Sequence, residues 1–288
     1  MRSTTRLRAM LKEPGLIVAP GAYDGFSARL IEAAGFAAVY MTGAGAAASY
    51  LGQPDLGLMT LTEMAAQAGR LAGCVSLPVL ADADTGYGNV LNVVRTVREY
   101  ERAGVAGLHL EDQVAPKRCG HIAGKQVIPT REFMDKIRAA VEYRTDPDFV
   151  IIARTDARAV TGLDDAIDRG NRYAEAGADV VFVEAPQSEG EIRRVARGVS
   201  APLLINMVPG GKTPPMKLTD LERLGFKIAI FPSVCMAAAV PAMEHALARL
   251  KETGVDWDEG NRPGPIELFR KVGFDWWHAI EEKFAGGA

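Results

Sequence analysis

The chain has 288 residues, 48% of them hydrophobic and 24% charged, with a formal net charge of -3 at pH 7. Those values are ordinary for a globular enzyme and supply no broad basic field, which argues against nucleic acid or an anionic membrane as partner. The length does not force two domains, because single (β/α)8 barrels commonly run to about 250 residues.

The opening stretch, MRSTTRLRAMLKEPG, is basic but lacks the uninterrupted apolar core of a secretory signal, and no apolar run approaches the roughly 20 residues of a membrane span. A cytoplasmic protein is expected. The three cysteines, Cys74, Cys119 and Cys235, are an odd and scattered set, unlike a disulfide framework. Cys74 and Cys235 have apolar or small neighbours and read as core residues, whereas Cys119 stands among cations.

Short β-rich runs ending at polar or glycine positions predict eight strands: Leu16 to Ala19, Ala37 to Met41, Val79 to Asp82, Gly107 to Glu111, Phe149 to Arg154, Val180 to Glu184, Leu203 to Asn206 and Ile228 to Phe231. Helical patterns alternate with them, at Ala28 to Ala34, Leu61 to Ala72, Val90 to Ala103, Arg131 to Tyr143, Leu163 to Ala176, Glu189 to Arg197 and Thr219 to Leu224. Strict βα alternation of this kind predicts a closed parallel barrel, one α/β domain of TIM type over residues 1–288. The pairs Ala34-Gly35, Ala103-Gly104 and Ala176-Gly177 look like helix C-caps leading into the next strand.

Beyond the last strand, residues 233–288 form a helical extension. It comprises an alanine- and methionine-rich helix from Val234 to Glu252, a Gly/Pro-bearing link from Gly254 to Pro265, and an apolar segment from Ile266 to Phe284 carrying Phe269, Trp276 and Trp277. Such a segment needs a surface to bury against. Another subunit is the expected surface, with the chain's own barrel as the alternative.

In a barrel of this kind catalytic groups sit at the C-terminal ends of the strands. Those ends carry Thr42-Gly43-Ala44-Gly45, Asp82 with Asp84, Glu111, Arg154 with Asp156, Glu184 and Asn206. Asp82, Asp84 and Glu111 would repel one another without a positive charge between them, and a hard divalent cation such as Mg2+ is the usual solution. A solvated acidic rim is the alternative. Asp55, in the Gly52-Gln53-Pro54-Asp55 turn, is either a further acid of this group or a plain turn residue.

Arg154 ends an apolar strand and is suited to clamp a substrate carboxylate, or to pair with Glu184 or Asp156. Thr42, Gly43 and Ala44 offer backbone N–H groups to an anion. Tyr40 ends the second strand. After Glu111 comes the loop Gln113 to Gly124, holding Lys117, Arg118, Cys119 and His121, where a thiol among cations ionises more readily than a free one and can act as acid or nucleophile. His109 lies within a strand and reads as a satisfied structural histidine.

The motifs Asp82-Ala83-Asp84-Thr85-Gly86-Tyr87-Gly88, Leu110-Glu111-Asp112-Gln113 and Lys117-Arg118-Cys119-Gly120-His121, with Pro54-Asp55-Leu56-Gly57, Ala153-Arg154-Thr155-Asp156-Ala157, Glu184-Ala185 and Asn206-Met207, resemble the isocitrate lyase / phosphoenolpyruvate mutase superfamily. The resemblance runs from about Gly21 to Pro232. It implies a (β/α)8 barrel with Mg2+ or Mn2+, a 2-hydroxy or 2-oxo dicarboxylate substrate, and a homotetramer whose C-terminal helices swap between neighbours. It further implies that Asp82 touches the metal while Asp55, Asp84 and Glu111 hold its waters. Arg154, Thr42, Gly43, Ala44, Gly120, His121, Glu184 and Asn206 would then bind the substrate, Tyr40 would be a base for the hydroxyl proton, and Cys119 the acid of a carbon–carbon lyase. Ile122 stands where methylisocitrate lyases usually carry a basic residue, and Pro20-Gly21-Ala22-Tyr23-Asp24 with Met41-Thr42-Gly43 looks closer to dimethylmalate-lyase-like members. A 2,3-dialkylmalate lyase is therefore expected ahead of a methylisocitrate lyase, with oxaloacetate hydrolase or decarboxylase and phosphonate mutase behind.

Overall fold

The computed structural model describes residues 1–120, 122–255 and 263–285. Eight strands close into one parallel barrel in sequence order: β1 Ile17–Ala22, β2 Val39–Met41, β3 Val79–Asp82, β4 Gly107–Glu111, β5 Val150–Thr155, β6 Val180–Val183, β7 Leu203–Asn206 and β8 Phe226–Phe231. Closure is made by β1 against β8, with Ile17 opposite Ile228 and Pro20 opposite Phe231. Each predicted strand is present, most within two residues of its expected ends.

The helices are α1 Ser3–Lys12, α2 Gly25–Ala33, the single turn α3 Gly43–Ala46, α4 Leu61–Cys74, α5 Val90–Arg102, α6 Thr130–Tyr143, α7 Leu163–Glu175, α8 Glu189–Gly198, α9 Leu218–Arg223, α10 Val234–Thr253, α11 Pro265–Lys271 and α12 Phe274–Ala285. The three expected C-cap glycines adopt positive φ: 82° at Gly35, 82° at Gly104 and 104° at Gly177. Only glycine reaches that region without crowding its Cβ, which explains its use between helix and strand.

The barrel lumen is filled by Ile17, Tyr40, Leu80, Ile152, Phe182, Leu204 and Ile230, with Leu7 of α1 in the same cluster. That helix is not among the predicted elements, although Leu7, Met10 and Leu11 stand at helical spacing and pack into this cluster. It buries Leu7 completely and pairs Arg8 with Asp179, closing the N-terminal end of the barrel. The C-terminal ends of the strands are left open at the opposite end.

Two expectations need correction. Cys74 and Cys235 are half-buried at the edge of the core rather than within it. The apolar tail is not one segment but two helices, broken where Gly273 takes φ 96°. None of α10, α11 and α12 buries a residue, so the tail does not find its apolar cover on its own barrel. Trp276 is 62% and Trp277 64% exposed. Most of the Gly254 to Pro265 link lies outside the described residues.

Candidate active site

The C-terminal ends of the strands surround a cavity of about 130 Å³ lined by Tyr40, Thr42, Ala44, Asp55, Asp82, Cys119, Gly120, Arg154, Glu184 and Asn206, with Val208, Pro232 and Met236 completing one side. Ten residues expected at the site thus share one wall. Asp84 and Glu111 are buried behind it. His121 lies outside the described residues.

Local sequence explains the close packing. Thr42 caps the α3 turn, accepting from the Gly45 amide, and Gly43 presses against the Asp82 carboxylate so closely that a Cβ there would lie 2.3 Å from Oδ2. After β3 the chain turns abruptly, with φ of 47° at Asp84, 82° at Gly86 and 60° at Tyr87. Non-glycine residues in that region are strained, and such strain concentrates at functional sites. It is held by Tyr100, whose hydroxyl donates to the Asp82 carbonyl at 2.8 Å, and by the Asp84 amide donating to Asp82 Oδ1 at 3.0 Å.

The charges form two linked groups. Lys117 Nζ sits 2.6 Å from Asp55 Oδ1 and 2.9 Å from Asp84 Oδ1. Arg154 makes a two-pronged contact with Asp156, through Nε at 2.9 Å and Nη2 at 3.1 Å. It also lies 3.2 Å from Glu111 and 3.7 Å from Glu184, with its guanidinium over the Phe182 ring. Both readings of Arg154 therefore coexist: it lines the cavity and is oriented by acids.

Burial and neighbouring charge push these acids apart. Burial works against ionisation of Asp82, but His109, Lys117 and Arg154 hold its carboxyl at about 2. Burial, with Asp82 beside it, raises Asp84 to about 6 against the pull of Lys117. Burial likewise lifts Glu111 well above the usual range, with Arg154 opposing. Lys117 is desolvated yet held protonated by Asp84, Asp82 and Glu111.

The orphaned atoms mark what the site lacks. Neither Glu111 oxygen, nor Asp84 Oδ1, nor Asn206 Oδ1, accepts a well-directed hydrogen bond among the described residues. Unsatisfied buried acceptors are costly and call for a donor, an ion or water. No three acid, histidine or cysteine side chains among the described residues converge closely enough to grip a metal on their own. That all-oxygen, loosely gathered set fits a hard cation that keeps several waters and takes one or two carboxylates directly.

Lys125, Asp112 and Asp156 stand outside the expected set. His109, expected as a satisfied structural histidine, has its Nε2 2.8 Å from Tyr40 Oη and 3.4 Å from Asp82 Oδ1, and burial lowers it to about 4. Lys125 and Asp112 bind the loop and the β5 end from behind, and Asp156 orients Arg154. The alternation of β4 already pointed His109 and Glu111 to the same side. Tyr40 is a buried phenol whose ionisation is pushed well above its usual range, by burial first and Asp82 second.

A family model described as phosphoenolpyruvate phosphomutase matches residues 7–251. The 2,3-dimethylmalate lyase of Eubacterium barkeri is 47% identical over 281 residues, 94% of this chain and 97% of that protein. The 2-methylisocitrate lyase of Halalkalibacterium halodurans is 43% identical over 287 residues, 97% of this chain and 93% of that one. Among solved structures, oxaloacetate acetylhydrolase bound to 3,3-difluorooxalacetate superposes with a TM-score of 0.95 at 40% identity, covering 99% of this chain and 98% of that one. Phosphonopyruvate hydrolase, solved with oxalate and Mg2+, superposes with a TM-score of 0.90 at 31% identity, covering 99% and 100%.

Proposed function

The chain belongs to the phosphoenolpyruvate phosphomutase family, and we propose that within it this protein is a Mg2+-dependent carbon–carbon lyase cleaving a substituted malate of the 2,3-dialkyl type to pyruvate and a carboxylic acid. The observation that carries this reading is that Cys119 lines the same cavity as Arg154, Asp82 and Glu184. A thiol borders a cavity lined by groups suited to carboxylates, the pairing that a retro-aldol cleavage requires.

Asp82 would hold the ion directly, with Asp55, Asp84 and Glu111 on its waters, and Mn2+ could serve in its place. When bound, the ion neutralises the 2-hydroxy-carboxylate half of the substrate and acidifies its hydroxyl. Arg154 and the Thr42–Ala44 turn orient the carboxylates. Loss of the hydroxyl proton forms the C2=O bond as the C2–C3 bond breaks, and the electron pair passes to C3, spread into the adjacent carboxylate. Cys119 then delivers its proton to C3. Burial of Tyr40 as a neutral phenol favours Glu184, which lines the cavity, as acceptor of the hydroxyl proton, with Asn206 Nδ2 3.4 Å away to steady it.

The alkyl-malate reading is supported over a tricarboxylate by the uncharged side formed by Val208, Pro232 and Met236, and by Arg154 being the sole lysine or arginine lining the cavity among the described residues. Ile122, 41% exposed on the loop, adds no charge. The match to oxaloacetate acetylhydrolase keeps oxaloacetate hydrolysis as a second reading. A Mg2+-dependent panel of 2,3-dimethylmalate, 2-methylisocitrate, isocitrate and oxaloacetate tests both. Pyruvate from dimethylmalate, abolished by a chelator, supports the reading; faster cleavage of methylisocitrate reverses the substrate order, and oxalate release from oxaloacetate alone replaces the lyase by a hydrolase.

The same reading includes a cytoplasmic homotetramer assembled through the C-terminal helices. Its support is the exposed apolar face of α10 to α12, with Leu247 at 66% and Trp277 at 64%, since a monomer rarely leaves so much apolar surface in water. Sedimentation showing a monomer at micromolar concentration would dispose of it.

A further inference from the structure

Lys125 closes the loop that carries Cys119 and is itself buried, 8% exposed. Its ammonium donates to the Gly120 carbonyl at 2.5 Å and to Asp156 Oδ1 at 2.7 Å. The first acceptor is the carbonyl of the residue after Cys119, and the second is the acid that grips Arg154 in two places. Asp156 is immobilised in turn: its amide donates to Asp112 Oδ1 at 2.9 Å, while Asp112 Oδ2 receives Thr155 at 2.7 Å and Tyr173 at 2.8 Å. One ammonium therefore spans the junction between a loop and the rigid end of β5.

The junction has no slack. A Cβ added to Gly120 would lie 2.7 Å from Arg154 Nη2 and 2.8 Å from Glu184, so the loop backbone rests directly on both side chains. Lys125 does not line the cavity, and a buried ion pair is poor evidence for stability but good at fixing one arrangement. We propose that Lys125 is a positioning residue, a strut that sets the Cys119–Gly120 backbone and the Arg154 guanidinium at one fixed separation across the substrate. The proposal rests on the lyase reading of the site. Its consequence lies in geometry, where displacement by about 1 Å can cost roughly 100-fold in rate.

The test uses the Mg2+-loaded full chain and two readouts. Lys125→Met removes the ammonium while keeping the stem; kcat for the preferred malate is expected to fall about 100-fold, with KM changing less than about threefold. In Lys125→Ala, added ethylammonium should restore part of kcat. Independently of turnover, alkylation by iodoacetamide, mapped by mass spectrometry, should change in rate at Cys119 by about fivefold or more while Cys74 and Cys235 react as in the wild type. If Lys125→Met does not fold, Lys125→Gln takes its place with the same two readouts. A folded variant with near-native kcat, or with unchanged alkylation at Cys119, overturns the strut. A wild type silent on every dicarboxylate sinks the proposed function instead, and the alkylation comparison still decides the strut.

Discussion

The two ends of the barrel hold charge in different ways. At the N-terminal end Asp179 accepts from Arg8 at 2.5 and 3.0 Å, from Arg144 at 2.8 Å and from the Ile151 amide at 2.9 Å, and Leu7 plugs the lumen above it. At the C-terminal end both Glu111 oxygens, Asp84 Oδ1, Asn206 Oδ1 and His109 Nδ1 make no well-directed hydrogen bond among the described residues, although Lys117 stands 2.9 Å from Asp84 Oδ1 and Arg154 3.2 Å from Glu111. Arg8 Nε is the N-terminal end's one comparable orphan. Charge held by several directed hydrogen bonds fastens a fold, whereas paired charge whose acceptors still lack them is suited to something that arrives later.

Mutations at the two ends should therefore have opposite signatures. Leu7→Ala leaves a cavity in the lumen and should cost about 3 kcal/mol of stability, while kcat per folded molecule stays native; chemical denaturation paired with the activity assay checks it. Asp179→Asn keeps the shape but weakens several charge-assisted hydrogen bonds, and about 2 kcal/mol should be lost, again without effect on turnover. At the mouth, Glu111→Gln should act the other way, raising the stability of the metal-free protein at pH 7 by about 1 kcal/mol and abolishing activity. The sign follows from the raised ionisation of Glu111: its contribution is full below its ordinary value of 4.5 and is lost as pH climbs toward the raised one, a loss the amide does not suffer. Thermal melts at pH 4 and pH 7 would measure it. If Glu111→Gln proved less stable than wild type at pH 7, the contrast between the two ends would fail.

The barrel was legible because its signals are local: short apolar runs, an Ala-Gly cap before three of the strands, and acids at several strand ends. Asp82, Arg154 and Asn206 could be placed from strand order alone, since parallel strands in sequence order bring their C-terminal ends to one mouth, and Cys119 from the loop that follows the fourth strand end. What sequence could not give was pairing across the fold. Lys125 reaches Asp156, 31 positions away, and Tyr40 reaches His109 across 69; neither partner carries a local pattern that names the other. The α1 helix escaped for a different reason. Leu7, Met10 and Leu11 stand at helical spacing and pack into the lumen cluster, but Arg6, Arg8 and Lys12 interrupt so short a stretch and blur its period.

The account stands on Cys119 as the acid of a metal-dependent cleavage at the unsatisfied end. Its most direct test is pyruvate release from 2,3-dimethylmalate by wild type and Cys119→Ser, measured beside Mg2+ binding by calorimetry. The account predicts equal Mg2+ affinity in the two proteins and a turnover lower by about 1,000-fold in the variant, within the range that a positioned general acid contributes. Undiminished pyruvate release by Cys119→Ser, with Mg2+ bound equally well, would contradict it.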